Sequence, residues 1–351
     1  MLTKAQVECQ ESLDSCDKCL IIKSIRSGKT YCILDYAQKR KLIKVLWVVP
    51  YTVNINGVQE EVEKWNIKLN IEVICYQSLK KYTNKDFDLV VLDEIHRLTL
   101  PYYEYISQIK YNKIIGMTGT YPKGYSKIKT IEELLGLKVV YTYSVKDAVK
   151  DQNVAPYKIN IIKKVLSTKR DYVITYKDKK TKQEKSFTTS EYLSYINLCK
   201  RIEESYGMRQ TMLTFERLRF LNTLPSSIDF IKSYISINKS KRFLIFVATQ
   251  AMAEECSNFC YYGGKSDKYF RLFQEEKINH LVLVEKATVG VTYQNLDQVL
   301  LTNINSSNAS VQQKIFRAIL FRPNYEAKID ILINEGTEQV AWLNNSIKDI
   351  I

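Results

Sequence analysis

Short apolar runs alternate with longer amphipathic stretches between Leu20 and Thr120: Cys19 to Ile22, Val45 to Val49, Val73 to Cys75, Leu89 to Leu92 and Ile114 to Met117. The runs have the length of buried strands and the segments between them are long enough to return as helices, so the pattern predicts a parallel sheet with helices on both faces. A second block of the same kind comes late, with Phe243 to Val247, His280 to Val284, Val299 to Leu301 and Ile329 to Ile333, and predicts a second α/β domain. Tyr157 to Val165 adds a further strand, and Ser190 to Asn238 is expected to be largely helical. Two β-prone runs, Tyr172 to Tyr176 and Ser186 to Thr189, flank the polar stretch from Lys177 to Lys185. That arrangement predicts a basic β-hairpin over 172–189, projecting from the second domain. The expected division is 1–145 for the first domain and 146–351 for the second, which includes the hairpin and the helical segment 190–238.

Length agrees with that division, because 351 residues exceed what one core comfortably holds. Apolar residues at 45% and charged ones at 26% describe a globular chain and exclude a disordered one. No apolar run approaches the ~18 residues of a membrane span, and the N-terminus lacks the apolar region of a signal peptide. No membrane association and a cytoplasmic location are therefore expected. A formal net charge of +14 favours a polyanionic partner through counterion release. Cys16-x-x-Cys19 is the one tight cysteine pair; Cys256 and Cys260 lie far away in sequence, so free thiols are expected, not a zinc site.

Candidate chemistry sits at two strand ends. Leu20-Ile21-Ile22 leads toward Ser27-Gly28-Lys29-Thr30, where a glycine turn at a helix N-terminus can wrap backbone N–H groups around phosphate oxygens. Lys29 would neutralise the β- and γ-phosphates and Thr30 would hold Mg²⁺. A full Walker A loop begins with glycine, where this chain has Lys23. The run Phe87 to Leu92 ends in Asp93-Glu94-Ile95-His96, which offers one carboxylate to a metal ion and one to orient or activate water. In a parallel sheet ligands bind beyond the C-terminal strand ends, where Gly28, Asp93 and Thr118 all fall. Together the two segments predict nucleotide hydrolysis.

With these segments in order, the chain resembles a superfamily 2 DExH-box helicase or translocase, in a minimal two-domain core of the branched-DNA repair or restriction-type branch. The resemblance covers nearly the whole sequence. It implies α/β architecture with two tandem RecA-like domains, and ATP with Mg²⁺ as cofactors. Leu2 to Gln6 resembles the motif whose glutamine recognises adenine, at Gln6, with Gln10 as a substitute. Arg26, Ser27, Gly28, Lys29 and Thr30 match the phosphate loop, and Asp93 to His96 matches the DExH box. Pro50 and Gln77 fall in two nucleic-acid contacts, and Gly116-Met117-Thr118-Gly119-Thr120 matches the motif linking nucleotide state to grip, through Thr118, Thr120 and His96. In the second domain, Gly290 and Thr292 lie in the motif that touches phosphate backbone and nucleotide. Gln313, Arg317 and Arg322 lie in the arginine-finger helix, where Phe316 and Leu320 depart from the family pattern.

The resemblance implies Lys29 on the phosphates, Thr30 and Asp93 on the metal, Glu94 as the base and Arg317 stabilising charge on the γ-phosphoryl group. DNA is favoured over RNA as the track, with Lys177, Lys179, Lys180 and Lys182 of the hairpin adding phosphate contacts. An RNA helicase with the same chemistry, or a nucleic-acid-binding regulatory module with weak hydrolysis, is the alternative. The sequence leaves little room for an appended nuclease, so further activities are expected from protein partners of a repair, replication or restriction complex.

Overall fold

In the computed structural model the described residues are 2–24, 27–119, 129–177, 183–284, 293, 295–305, 308–315, 325–348 and 350. They form two compact units, the first essentially residues 1–156 and the second essentially 157 onward.

The first unit is built on β1 (Lys18–Lys23), β2 (Lys44–Val49), β3 (Asn70–Cys75), β4 (Asp86–Asp93), β5 (Lys110–Thr118) and β6 (Lys138–Tyr143), in the order β3-β2-β4-β5-β1-β6. Every neighbouring pair is parallel. Among the described residues its α-helices are α1 (Lys4–Leu13), α2 (Lys29–Lys39), α3 (Val53–Lys64), α4 (Leu100–Ile106) and α5 (Val145–Lys150). Central strands read as unbroken apolar runs because both faces are covered. Cys19, Ile21, Trp47 and Val49 pack one face against Cys9, Leu13 and Ile33 of α1 and α2. Leu20, Leu46 and Val48 pack the other against Leu79, Leu98 and Ile106.

The second unit adds β7 (Tyr157–Lys164), the antiparallel hairpin β8 (Tyr172–Lys177) and β9 (Glu184–Thr189), then helices α6 (Glu191–Glu203), α7 (Gly207–Leu221) and α8 (Pro225–Ile237). Its sheet continues with β10 (Phe243–Val247), β11 (Cys260–Tyr261), β12 (His280–Val284), β13 (Gln298–Leu301) and β14 (Ala327–Asn334), in the order β11-β12-β10-β13-β14-β7, all parallel. Helices α9 (Gln250–Cys256), α10 (Lys268–Gln274), α11 (Asn308–Ile315) and α12 (Glu338–Ile347) accompany it.

Two parallel-sheet α/β domains are thus present, and each predicted strand falls on an observed one. Two strands escaped the hydrophobic pattern. β6 is an edge strand with half its residues exposed or nearly so, and β11 is two residues long, so neither makes an apolar run. No helix among the described residues is long and apolar enough to cross a membrane.

Candidate nucleotide site

Sheet order explains where the chemistry collects. Helix α2 leaves β1 and returns to β2, which is separated from β1 by β5 and β4, so the loops after β1, β4 and β5 open side by side at the C-terminal edge.

The loop after β1 is shaped by Gly28, which takes a left-handed conformation (φ 70°, ψ 38°) directly before the first residue of α2. The backbone requires glycine there, while a Cβ would also crowd Nε2 of Gln6 and displace that side chain from the loop. Gln6 closes a capping box with Thr3 at the start of α1, and its Nε2 donates to the Gly28 carbonyl at 3.1 Å. Its amide therefore touches the glycine loop from α1. Gln10, the substitute, donates to Cys32 O and Asp35 Oδ2 at 2.9 and 2.7 Å. Ser27 Oγ donates to Ser24 O at 2.6 Å, and Lys29 Nζ donates back to the Lys23 carbonyl at 3.1 Å. The first N–H groups of α2 have no acceptor within the helix, as at any helix start, and face the position where anions bind.

Lys23, the departure from the Walker A pattern, is the last residue of β1 and fully buried. Its carbonyl serves Lys29, while its own Nζ finds no hydrogen-bond partner among the described residues and lies 5.8 Å from the centre of the Tyr143 ring. Burial pushes the Lys23 pKa down, against the pull of the Cys32 and Cys9 thiols.

Asp93 ends β4, and Glu94 follows in the left-handed region (φ 48°, ψ 51°), a conformation that costs a non-glycine residue energy. The kink turns the chain into a single 3₁₀ turn, Ile95–Arg97, with Ile95 driven into the core. Gly116 of β5 makes room for it: a Cβ there would meet Ile95 Cδ1 at 2.7 Å and Leu137 Cδ1 at 3.0 Å. Burial, and then the neighbouring Glu94 charge, raise the Asp93 pKa to about 7, although Lys29 opposes them. Glu94 moves the other way. Burial pushes it up, but hydrogen bonding to His96 and the charges of Lys29, His96 and Arg97 outweigh burial and leave it below the usual carboxylate range. Adjacent carboxyls driven apart in this way differ in task, one holding a proton near neutrality and one fully ionised. The field of Lys29 at both of them brings the glycine loop and the carboxylates into one site.

His96 is buried, with Nδ1 3.1 Å from Thr118 Oγ1 and 3.2 Å from Glu94 Oε2. One ring nitrogen cannot serve both fully, so the ring links the box to the end of β5 as a shared contact. Thr118 is fully buried opposite Ile22 of β1.

Three further residues belong to this network and were not among the site residues expected from the sequence. Tyr76 is buried, and its hydroxyl donates to the Asp93 carbonyl at 3.0 Å. Arg97 donates to the Tyr51 hydroxyl at 2.6 Å and lies 4.9 Å from the centre of that ring, joining the DExH turn to the loop after β2. Gly116 is the third. The signal lay in the motifs beside or around them: Arg97 follows the box directly, Tyr51 follows Pro50, Tyr76 precedes Gln77, and Gly116 opens the segment Gly116 to Thr120.

Pro50 is buried at the end of β2, while Gln77 is exposed on the 3₁₀ turn Tyr76–Tyr82. A cavity of about 490 Å³ lies between these two loops, lined by Tyr51, Thr52, Cys75, Gln77, Ser78 and Lys81 among others. Arg26, Thr120, Lys179, Lys180, Lys182, Gly290, Thr292, Arg317 and Arg322 lie outside the described residues. Gln313 is on α11 and Lys177 ends β8.

Residues 50–123 match the family described as type III restriction enzyme, res subunit. No curated protein matches the sequence. The fold is similar to that of the ATP-dependent type ISP restriction-modification enzyme LlaBIII bound to DNA, at TM-score 0.66 and 13% identity over 100% of this chain and 30% of that one. It is also similar to the helicase domain of Hef from Pyrococcus furiosus, at TM-score 0.55 and 13% identity over 99% of this chain and 100% of that one. The chain thus spans under a third of the restriction enzyme's length. At 13% identity these likenesses are of fold, two parallel-sheet α/β domains in tandem, and the family match is confined to residues 50–123.

Proposed function

We propose that this chain is an ATP hydrolase of the helicase or translocase type that couples hydrolysis to movement along DNA. The observation that carries the proposal is the pairing of a phosphate-type glycine loop with two oppositely shifted carboxyls, Asp93 and Glu94, both within the field of Lys29. The residues fit ATP and Mg²⁺: Gly28 opens a turn at a helix start, and a hydroxyl with a carboxylate, Thr30 and Asp93, is the oxygen donor set a hard divalent cation takes. Bound Mg²⁺ would neutralise phosphate charge and polarise the γ-phosphoryl group.

Around that group the side chains divide the work. Lys29 leaves the Lys23 carbonyl and moves onto the phosphates. Glu94, already ionised, takes the proton of the attacking water. Arg317 supplies the positive charge that stabilises the γ-phosphoryl group in the transition state, a contribution of ~10³ to 10⁵ in related hydrolases. His96 carries the state of Glu94 to Thr118. Pro50, Gln77 and Thr292 then hold nucleic-acid backbone with changing strength, and the hairpin lysines add phosphate attraction that carries no sequence information.

DNA is the favoured track because the similar restriction enzyme is described as bound to DNA. The test is ATP turnover by wild type, Lys29→Ala and Glu94→Gln, each with duplex DNA, forked DNA, single-stranded DNA and RNA. Turnover stimulated most by a DNA and abolished by both substitutions is expected. Stimulation by RNA alone would overturn the DNA assignment, and turnover unaffected by Glu94→Gln would overturn the hydrolytic one.

A further inference from the structure

The Cys16-x-x-Cys19 pair has no part in the chemistry above, yet the fold brings its sulfurs together. The two Sγ atoms are 3.3 Å apart where the turn after α1 enters β1. Both thiols hang on that turn's own backbone: Cys19 Sγ contacts the Cys16 and Leu13 carbonyls at 2.9 and 3.5 Å, and Cys16 Sγ contacts the Lys18 carbonyl at 3.4 Å. Cys16 is half-buried, whereas Cys19 is sealed in the core, and all eight cysteines are free thiols. The buried Lys113 ammonium donates to the Leu13 carbonyl at 2.6 Å and also to the Cys16 carbonyl, which places a positive charge behind the turn. No group of three or more metal-ligating side chains occurs among the described residues, so the pair has no visible partners for a metal site.

We infer that Cys16 and Cys19 form a reversible dithiol–disulfide site that exchanges with low-molecular-weight disulfides such as oxidised glutathione. Accessibility decides the order of events. The Cys16 thiolate attacks one sulfur of oxidised glutathione, its S–S bond breaks, and one glutathione thiolate leaves. Cys19 then attacks the Cys16 sulfur, forming the internal disulfide and expelling the second glutathione thiolate. The two cysteine protons end on the two glutathione sulfurs, so one dithiol and one disulfide become one disulfide and two thiols. Burial raises the Cys19 pKa to about 12 while the Lys113 charge lowers it, which suits Cys19 to the second, intramolecular step, where proximity compensates for a small thiolate fraction. The sulfurs need to approach by only about 1.3 Å to reach bonding distance.

The experiment titrates the full chain against glutathione redox buffers, then measures thiols after denaturation and intact mass. Oxidation should lower the thiol count from eight to six, remove ~2 Da and reverse with dithiothreitol. Trypsin cleaves after Lys18, between the two cysteines, so the oxidised protein should yield peptides 5–18 and 19–23 joined by a reducible bond. The Cys19→Ser protein should instead stop at a stable glutathione adduct on Cys16. Eight thiols persisting in strongly oxidising buffer would overturn the inference. So would a linked peptide pair that survives Cys16→Ser, since Cys9 lies in the same peptide and would then be the true partner.

Discussion

Replacing Asp93 by asparagine tests the electrostatics of the site without any assumption about substrate. The two side chains have nearly the same shape, so the change removes a charge and little packing. In the folded chain burial and the Glu94 charge raise the Asp93 pKa from the usual 3.8 to about 7. The folded state therefore keeps a proton that the unfolded state releases, and unfolding sheds a proton between those two pH values. Stability contributed by this group consequently falls as pH rises from ~4 to ~7 and stays low above it. At ~1.4 kcal/mol per tenfold change, the full difference is about 4 kcal/mol. Partial solvent access at the pair, where the Glu94 side chain is 20% exposed, reduces the expectation to ~2 kcal/mol. Metal-free and nucleotide-free Asp93→Asn should thus be more stable than wild type at pH 8, with a melting temperature higher by roughly 4–8 °C in the transition of the first unit. The gap should narrow steadily toward pH 5. Glu94, whose pKa is lowered, contributes stability that is lost only as pH falls below the usual carboxylate range, so scans above pH 5 leave it constant. Calorimetry of both proteins at pH 5.5, 6.5, 7.5 and 8.5 measures the effect. An asparagine protein no more stable at pH 8, or a gap independent of pH, would refute the charge burial argued for this site.

Gly116→Ala should destabilise the first unit by ~1–3 kcal/mol in urea unfolding, because the added methyl meets Ile95 and Leu137 in a filled core; an unchanged midpoint would mean the 3₁₀ turn does not press on β5. His96→Ala should keep nucleotide binding but lose DNA-stimulated turnover, since the link from Glu94 to Thr118 runs through that ring, and stimulation at the wild-type level would reduce His96 to a packing role. Replacing Lys177, Lys179, Lys180 and Lys182 with alanine should weaken DNA binding and lower the slope of log affinity against log salt by at most ~3.6. Unchanged affinity and slope would return the hairpin to an ordinary solvated loop.

Period and spacing were enough for the architecture. Strands buried on both faces must be apolar throughout, so β1, β2, β4, β10 and β12 announce themselves, and the polar stretch between Tyr176 and Ser186 announces a hairpin. Ser27 to Thr30 and Asp93 to His96 stand out for a similar reason: the phosphate and metal chemistry proposed for them would restrict residue type at fixed offsets along one short segment. What local sequence could not carry was any relation between distant segments. That Gln6 of α1 would hold the Gly28 carbonyl, that Tyr76 would hold the Asp93 carbonyl, and that Arg97 would hold Tyr51 depend on how strands are ordered in the sheet. The contrast between Asp93 and Glu94 is of the same kind. Two neighbouring carboxyls look alike in a bare sequence, and only burial, Lys29 and His96 make one a proton holder and the other an ionised carboxylate. Likewise Cys16-x-x-Cys19 is a spacing until a turn, set by where α1 must end and β1 must begin, brings two sulfurs to 3.3 Å.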